Sequence, residues 1–366
     1  MRLFNPYSYY TYHLIVVSFL TLFYSFFINR RNAIGLLRRK PLILTLVYVL
    51  AFIIIVGLRP VHGAFGDTVT VANTFKIFQT SPITIVGSRD SFFYLFQWYC
   101  AQVMDINRFF LICEALYVVP MVFACRRLMK NNYDLAILFC LAAFSFFSYA
   151  TNGIRSGIAT SLVLLALSFI QGNNFEKIIC FVLSFIAVNV HMSTALPVLC
   201  MLVCAFIKPG KVVFYFWLLS IVLSLIAGGA IANFFSSLGF DDRLDQYINA
   251  ETVEGRFSRT GFRWDFLLYS SMPILLGYYL LFKKKVTDSV YNLLLGTYIL
   301  SNAFWVMVIR AEFSNRFAYL SWFLYPIVIA YPLLRIKIWP KTQGSKTSLI
   351  LMMHLAFTLV MAFVIE

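Results

Sequence analysis

The sequence predicts an all-α polytopic membrane protein with about twelve transmembrane helices and one further interfacial or re-entrant helix. Three observations carry this. Of the 366 residues, 61% are hydrophobic, 18% aromatic and only 12% charged, about half the charged share of a soluble domain. Mean hydropathy is +0.82. Apolar runs recur along the whole chain, with the charges falling between them. A span takes about 20 apolar residues, so residues 1–366 read as a single transmembrane domain. Two longer polar-leaning stretches remain, the outer loops 59–106 and 233–263. So few charges cannot cover a water-facing surface of this size, which excludes soluble enzymes, disordered chains and fibrous proteins.

Taken in order, the spans lie near 7–28, 41–58, 107–125, 134–150, 154–171, 177–190, 192–207, 212–232, 264–282, 289–309, 317–334 and 348–365. The run Ser91–Met104 is too short to cross comfortably and carries two Gln, so it reads as interfacial or re-entrant. Lysine and arginine set the orientation. One face holds Arg30, Arg31, Arg38, Arg39, Lys40, Arg126, Arg127, Lys130, Lys177, Lys208 and Lys211. It also holds Lys283, Lys284, Lys285, Arg335, Lys337, Lys341 and Lys346, against the acids Asp134, Glu176 and Asp288. That face is cytoplasmic. The net charge of +15 is this positive-inside bias and not a nucleic-acid surface. If Ser91–Met104 crossed fully, every later loop would flip and the bias would be lost. The first run lacks a small-residue cleavage site after Ile28, so it reads as a span and not a cleaved signal. The seven cysteines all sit in apolar runs, which argues against a disulfide framework and a zinc site. Tyr7, Tyr9, Tyr10 and Tyr12 form an aromatic belt.

The opposite face is nearly neutral, and its basic residues are arginines except for Lys76: Arg2, Arg59, Arg89, Arg108, Arg155, Arg243, Arg256, Arg259, Arg263, Arg310 and Arg316. Arginine binds phosphate and carboxylate bidentately. The alternative is pairing with the outer acids, which suits the loop arginines 243–263 better than Arg59, Arg155, Arg310 and Arg316, which flank spans.

Two tight hairpins concentrate polar groups. Thr151-Asn152-Gly153-Ile154-Arg155 lies at the centre of one, and Asn189-Val190-His191 at the centre of the other. The second has about 30 apolar residues for two crossings at 1.5 Å per residue, which puts its tip below the outer membrane surface. A His and an Arg there border a polar cavity or bear a desolvation cost of several kcal/mol. The plainer readings are a backbone-bonded interfacial His191 and an Arg155 that snorkels to headgroups. Gly153, Gly157 and Ser161, four residues apart, suit close helix packing. Glu114, mid-span, either bonds a neighbouring helix or lines the cavity. Asp241-Asp242-Arg243-Leu244-Asp245 suits a divalent cation or, more simply, its own arginines. Phosphate-loop, zincin and nucleophile-elbow motifs do not occur.

Four short motifs in order resemble the EpsG-like, Wzy-type polysaccharide polymerases. They are Gly57-Leu58-Arg59 with Gly66-Asp67, Asn152-Gly153-Ile154-Arg155-x-x-x-Ala159, Val190-His191-Met192-Ser193-Thr194-Ala195-Leu196, and Asn315-Arg316-Phe317-Ala318-Tyr319. The likeness covers nearly the whole chain. It departs at Val69-Thr70-Val71, where the family tends to have an aromatic, and at Ser156, where it tends to have Gln. The resemblance implies a GT-C-like glycosyltransferase of the bacterial inner membrane, multi-pass, with its active site facing the periplasm. The implied substrate is an undecaprenyl-diphosphate-linked oligosaccharide repeat unit, polymerised into O-antigen, capsule or exopolysaccharide without a nucleotide sugar, required metal or cofactor. Membrane lipids, and a chain-length regulator protein, are the expected partners.

That reaction sets requirements. The diphosphate leaving group gains negative charge in the transition state, so preorganised arginines lower the barrier. Arg155, Arg316, Arg59 and Arg310 are the candidates, in that order. The attacking hydroxyl needs a general base, and His191 and Asp67 are the two candidates. Imidazole accepts a proton near neutral pH, and a carboxylate suits an oxocarbenium-like reaction equally well. His191 is favoured slightly because its hairpin brings it beside Arg155. Asn152, Asn315 and Tyr319 are expected to contact substrate. An O-antigen ligase would share the donor and the arginines. A membrane O-acyltransferase would need its His near a cytoplasmic donor. A flippase or other transporter would show internal repeats and midplane charges, whereas the sequence has no repeat and its polar residues cluster at one face.

Overall fold

In the computed structural model, residues 4–83, 89–207, 210–237, 261–310 and 314–365 are described, without the side chains of 232–237, 314, 315, 364 and 365. All regular structure among them is helical. Among the described residues, seven helical segments are long and apolar enough to cross a membrane: Pro6–Ile28, Ile106–Leu141, Lys211–Ile231, Trp264–Lys283, Ser289–Met307, Arg316–Arg335 and Gln343–Phe363. Large apolar side chains stand on their outer surfaces, with Phe26 and Ile226 both 80% exposed. The chain is therefore built as a multi-pass membrane protein. The remaining sequence-predicted spans fall on shorter helices, among them Leu44–Gly57, Ile154–Leu167 and Met192–Phe206. The chain divides into two compact units, residues 1–192 with 329–366, and residues 193–328.

In the first unit, α1 (Tyr9–Ile28) follows Pro6, whose fixed φ suits a helix start, and the Asn5 side chain accepts the Tyr7 N–H. It packs along α17 (Gln343–Val360). Gly344 is needed there because a Cβ would overlap the carbonyls of Ile28 and Arg31, and its N–H bonds Arg31 O at 2.9 Å. After the short α2 (Ala33–Leu37), α3 (Leu44–Gly57) packs on α6 (Ile106–Met129), where Gly57 lies against the Leu111 backbone.

Between them lie α4 (Thr68–Phe78) and α5 (Ser91–Val103). At 1.5 Å per residue α5 is about 20 Å long, short of a bilayer core. Its two Gln are explained by pairing with α4: Gln97 Nε2 donates to Val71 O at 2.8 Å and Gln102 Nε2 to Phe78 O at 2.7 Å.

The predicted span 134–150 is broken into α7 (Tyr133–Leu141) and α8 (Phe146–Thr151). A helix C-terminus leaves its last carbonyls without partners, and inside a bilayer these must be met by protein. Here His354 Nε2 bonds Phe139 O (3.0 Å), His13 Nε2 bonds Leu141 O (3.0 Å) and Thr358 Oγ1 donates to Ala142 O (2.7 Å). Helix α9 (Ile154–Leu167) packs on α6 and on α10 (Asn174–Val190). Gly157 lets α9 lie close to both α8 and α6, since a Cβ would come 2.8 Å from Tyr149 O and 3.3 Å from Tyr117 Cδ2, and Ser161 Oγ donates to Tyr117 O on α6 at 2.5 Å. The expected small-residue packing is met at Gly157 and Ser161. At the basic end of this unit Asp134 pairs with Arg39 and accepts the Leu42 N–H at 2.8 Å, while Arg39 Nε donates to Asn132.

The second unit holds α11 (Ala195–Phe206), α12 (Lys211–Ser237), α13 (Trp264–Tyr278), α14 (Ser289–Met307) and α15 (Ser314–Trp322). Helix α12 bends at Ala227, just before Gly228. The α14 core is pinned by Asn302, whose Oδ1 accepts from Trp217 Nε1 (2.8 Å) and whose Nδ2 donates to Ser321 (3.0 Å). The predicted span 317–334 is interrupted between α15 and α16 (Tyr325–Arg335), where Pro326 has no N–H to continue the ladder.

Candidate functional site

The sequence-selected residues of the first unit meet at helix ends. Arg155 is the second residue of α9, and His191 follows the last residue of α10 in extended backbone (φ −152°). The residue that joins them, Asp90, was not among the sequence candidates. One of its carboxylate oxygens, Oδ2, accepts from Arg155 Nη1 at 2.6 Å and lies 3.3 Å from His191 Nδ1. The other, Oδ1, accepts the Met192 backbone N–H at 2.8 Å. Tyr94 on α5 accepts a second bond from Arg155 Nη1 at 3.1 Å, its ring 5.5 Å from the guanidinium carbon. The side chains are mostly enclosed, with 20% of Arg155, 22% of His191 and 9% of Asp90 exposed. Charge-assisted bonds of this kind are about twice as strong as neutral ones. Burial acts to raise the Asp90 pKa, but the His191 bond, the charges of His191 and Arg155 and the Met192 N–H outweigh it and hold the carboxyl below its ordinary value.

Asp90 precedes α5 where an N-cap would stand, yet its side chain does not cap that helix. Its backbone is left-handed (φ 58°, ψ 34°), a conformation Asp tolerates better than most residues. Its partners are 65 and 101 residues away, so no local sequence pattern links it to them.

A second group of contacts fixes the turn 59–68 against the α8–α9 junction. Asn152 Oδ1 accepts the Asp67 N–H at 3.1 Å, and Thr68 Oγ1 donates to Thr151 O at 3.2 Å. Gly66 has φ +55°, and a Cβ there would overlap the Asn152 amide. Asp67 itself is half-buried at the start of α4.

Arg59 is placed differently from the expectation. It is 1% exposed and packed inside the unit. Its Nε donates to Thr68 Oγ1 (3.1 Å) and Nη1 to Val56 O (2.8 Å), with Glu114 3.8 Å away and the Phe110 ring 4.7 Å from the guanidinium carbon. This resolves the choice left open for Glu114, which is 2% exposed and partners Arg59. Arg59 thus ties α3 to the turn that carries Asp67.

In the second unit Arg310 is exposed, its Cδ against Gly228 and its guanidinium 5.8 Å from the Phe262 ring. Arg316 is half-buried on α15, and Tyr319 is buried with its ring 5.8 Å from Trp322. The Asn315 side chain and the segment Asp241–Asp245 lie outside the described residues. Among the described residues no group of three or more His, Cys, Asp or Glu could hold a metal ion.

No curated protein and no solved structure matches the chain. A family model described as the EpsG family matches residues 42–366, a stretch that contains the Asp90–Arg155–His191 cluster, the 59–68 turn and Arg310–Tyr319. The chain belongs to the EpsG family of polysaccharide polymerases.

Proposed function

We propose that the chain polymerises lipid-linked oligosaccharide repeat units, transferring a glycan from polyprenyl diphosphate to a sugar hydroxyl of an acceptor at the periplasmic face of the bacterial inner membrane. In this reading it crosses the membrane twelve times as a GT-C-like glycosyltransferase, with α4 and α5 at the outer surface. The acceptor oxygen attacks the anomeric carbon and forms the new C–O bond. The bond from that carbon to the diphosphate oxygen breaks, and its electron pair leaves with the polyprenyl diphosphate. The hydroxyl proton passes to His191 Nε2.

The observation that carries the reading is the shared carboxylate. It puts a proton acceptor and a fixed guanidinium side by side at the ends of α10 and α9. Both hydrogen bonds of Arg155 use Nη1. Among the described residues none takes Nε or Nη2, the edge whose two parallel N–H groups match two phosphate oxygens. Arg316 and Arg310 are proposed as further diphosphate donors, with Asn315 and Tyr319 as sugar contacts. Asn152 serves the site by holding Asp67.

The test uses purified protein, with lipid-linked oligosaccharide binding and single-turnover transfer measured for His191→Gln and Asp67→Asn. His191→Gln should bind the donor and lose about 10²–10⁴ in rate. Near-wild-type transfer by His191→Gln, with Asp67→Asn bound but inert, would move the base role to Asp67. In cells, deletion should leave surface lipid bearing a single repeat unit. Complete loss of attached glycan would identify a ligase instead, and repeat units trapped inside would identify a flippase.

A further inference from the structure

We propose that Asp90 is the positioning residue of this site, holding His191 as the Nδ1–H tautomer with its lone pair on Nε2 and holding Arg155 by Nη1 so that its Nε–Nη2 edge meets the ligand. The inference rests on the reading of His191 as the base.

The argument is one of donors and acceptors. An ionised carboxylate only accepts. Arg155 Nη1 and the Met192 N–H only donate, and each has an oxygen of Asp90 within 2.8 Å. Nδ1 of His191, 3.3 Å from Oδ2, can bond that oxygen only by donating. In a neutral imidazole the proton then sits on Nδ1 and the lone pair on Nε2. The carboxylate also stabilises the imidazolium that forms once Nε2 has taken a proton. The same Oδ2 binds Arg155, so one side chain sets both the base and the cation. Tyr94 supplies the second fixed point on Nη1.

Asparagine is close in shape but cannot replace this arrangement. With its oxygen toward the Met192 N–H, its amide nitrogen faces Arg155 Nη1, donor against donor, and donates to His191 Nδ1. That moves the imidazole proton to Nε2 and removes the lone pair from it. Turned over, the amide nitrogen opposes the Met192 N–H. Each orientation leaves one conflict, and the first inverts the tautomer.

The test is spectroscopic and does not depend on turnover. Protein labelled with 15N-histidine has four imidazoles, and His191 is assigned by the signal lost in His191→Gln. The wild type should show His191 protonated at Nδ1. An Nε2–H tautomer in the wild type would overturn the proposal with no variant needed. Asp90→Asn should shift His191 toward Nε2–H and lower single-turnover transfer by up to about 10⁴, the scale seen when a His-orienting carboxylate becomes an amide, while Asp90→Glu, which keeps the acceptor, should recover part of the rate. Unchanged tautomer and unchanged rate in Asp90→Asn would also overturn it. A changed tautomer with unchanged rate would uphold the positioning and overturn His191 as the base.

Discussion

The Gly66–Asn152 contact gives the sharpest single-atom test of the turn that carries Asp67. Gly66→Ala adds one methyl group where it overlaps Oδ1 and Cγ of Asn152 and comes 2.9 Å from its Cβ. The Asn152 side chain must swing away, and the Asp67 N–H loses its 3.1 Å acceptor. Holding a side-chain-bearing residue at φ +55°, ψ −115° costs about 1–3 kcal/mol, and the lost hydrogen bond about 0.5–1.5 kcal/mol. Together these put local opening of the turn at about 1.5–4.5 kcal/mol easier, or roughly 10- to 1,600-fold at 1.4 kcal/mol per tenfold. Amide hydrogen exchange at Asp67 and Thr68 in detergent-solubilised protein should report that range, with the ends of α6 and α9 unaffected. Asn152→Ala alone removes the hydrogen bond without the strain and should cost about 1 kcal/mol. The double substitution should cost less than the two singles combined, because part of the clash disappears. Wild-type exchange at 67–68 in Gly66→Ala, with full-length polymer in cells, would refute the geometry of this turn.

Arg59→Met should lower membrane levels and thermal stability, because it leaves Glu114 buried without its cation, a loss of about 3–5 kcal/mol. Adding Glu114→Gln should restore part of it, whereas normal stability with lost donor binding would return Arg59 to the diphosphate site. Gly157→Ala should cost about 1–3 kcal/mol by overpacking α9 against Tyr149 of α8 and Tyr117 of α6, read as a lower midpoint in a detergent melt. Arg155→Lys keeps the charge but loses the planar fork, so long polymer should disappear at normal protein level, while Arg243→Lys leaves polymer length near wild type. In a background lacking the seven buried cysteines, Cys at 126 and 284 should resist an impermeant thiol reagent in whole cells and Cys at 242 and 315 should react. Labelling at 284 would invert the orientation.

Apolar periodicity and the charge count made the helical framework legible, including a short separate helix at Ser91–Met104, because span length and side-chain polarity are local properties; the bonds of Gln97 and Gln102 to α4 were not. The breaks after Leu141 and before Pro326 were less legible. The first depends on His13, His354 and Thr358, which lie more than a hundred residues away from the carbonyls they satisfy. Arg155 and His191 could be selected as candidates because hairpin tips with charge stand out against an apolar background. Asp90 was not, since its role depends on a left-handed backbone and two distant partners. Arg59 looked like a site cation because an Arg after a span end has the same sequence signature whether it faces a ligand or the interior.

The break between α7 and α8 gives this molecule an internal spectroscopic standard. A carbonyl oxygen can only accept, so the imidazoles bonded to Leu141 O and Phe139 O must each carry hydrogen on Nε2. His13 then accepts the Tyr48 hydroxyl proton through Nδ1, 2.8 Å away. Two of the four histidines are thereby fixed in one protonation pattern by main-chain atoms deep in the bundle. The ring beside Asp90 has the opposite pattern, so a single nitrogen spectrum contains both forms, and the sign of the difference can be read without an external reference.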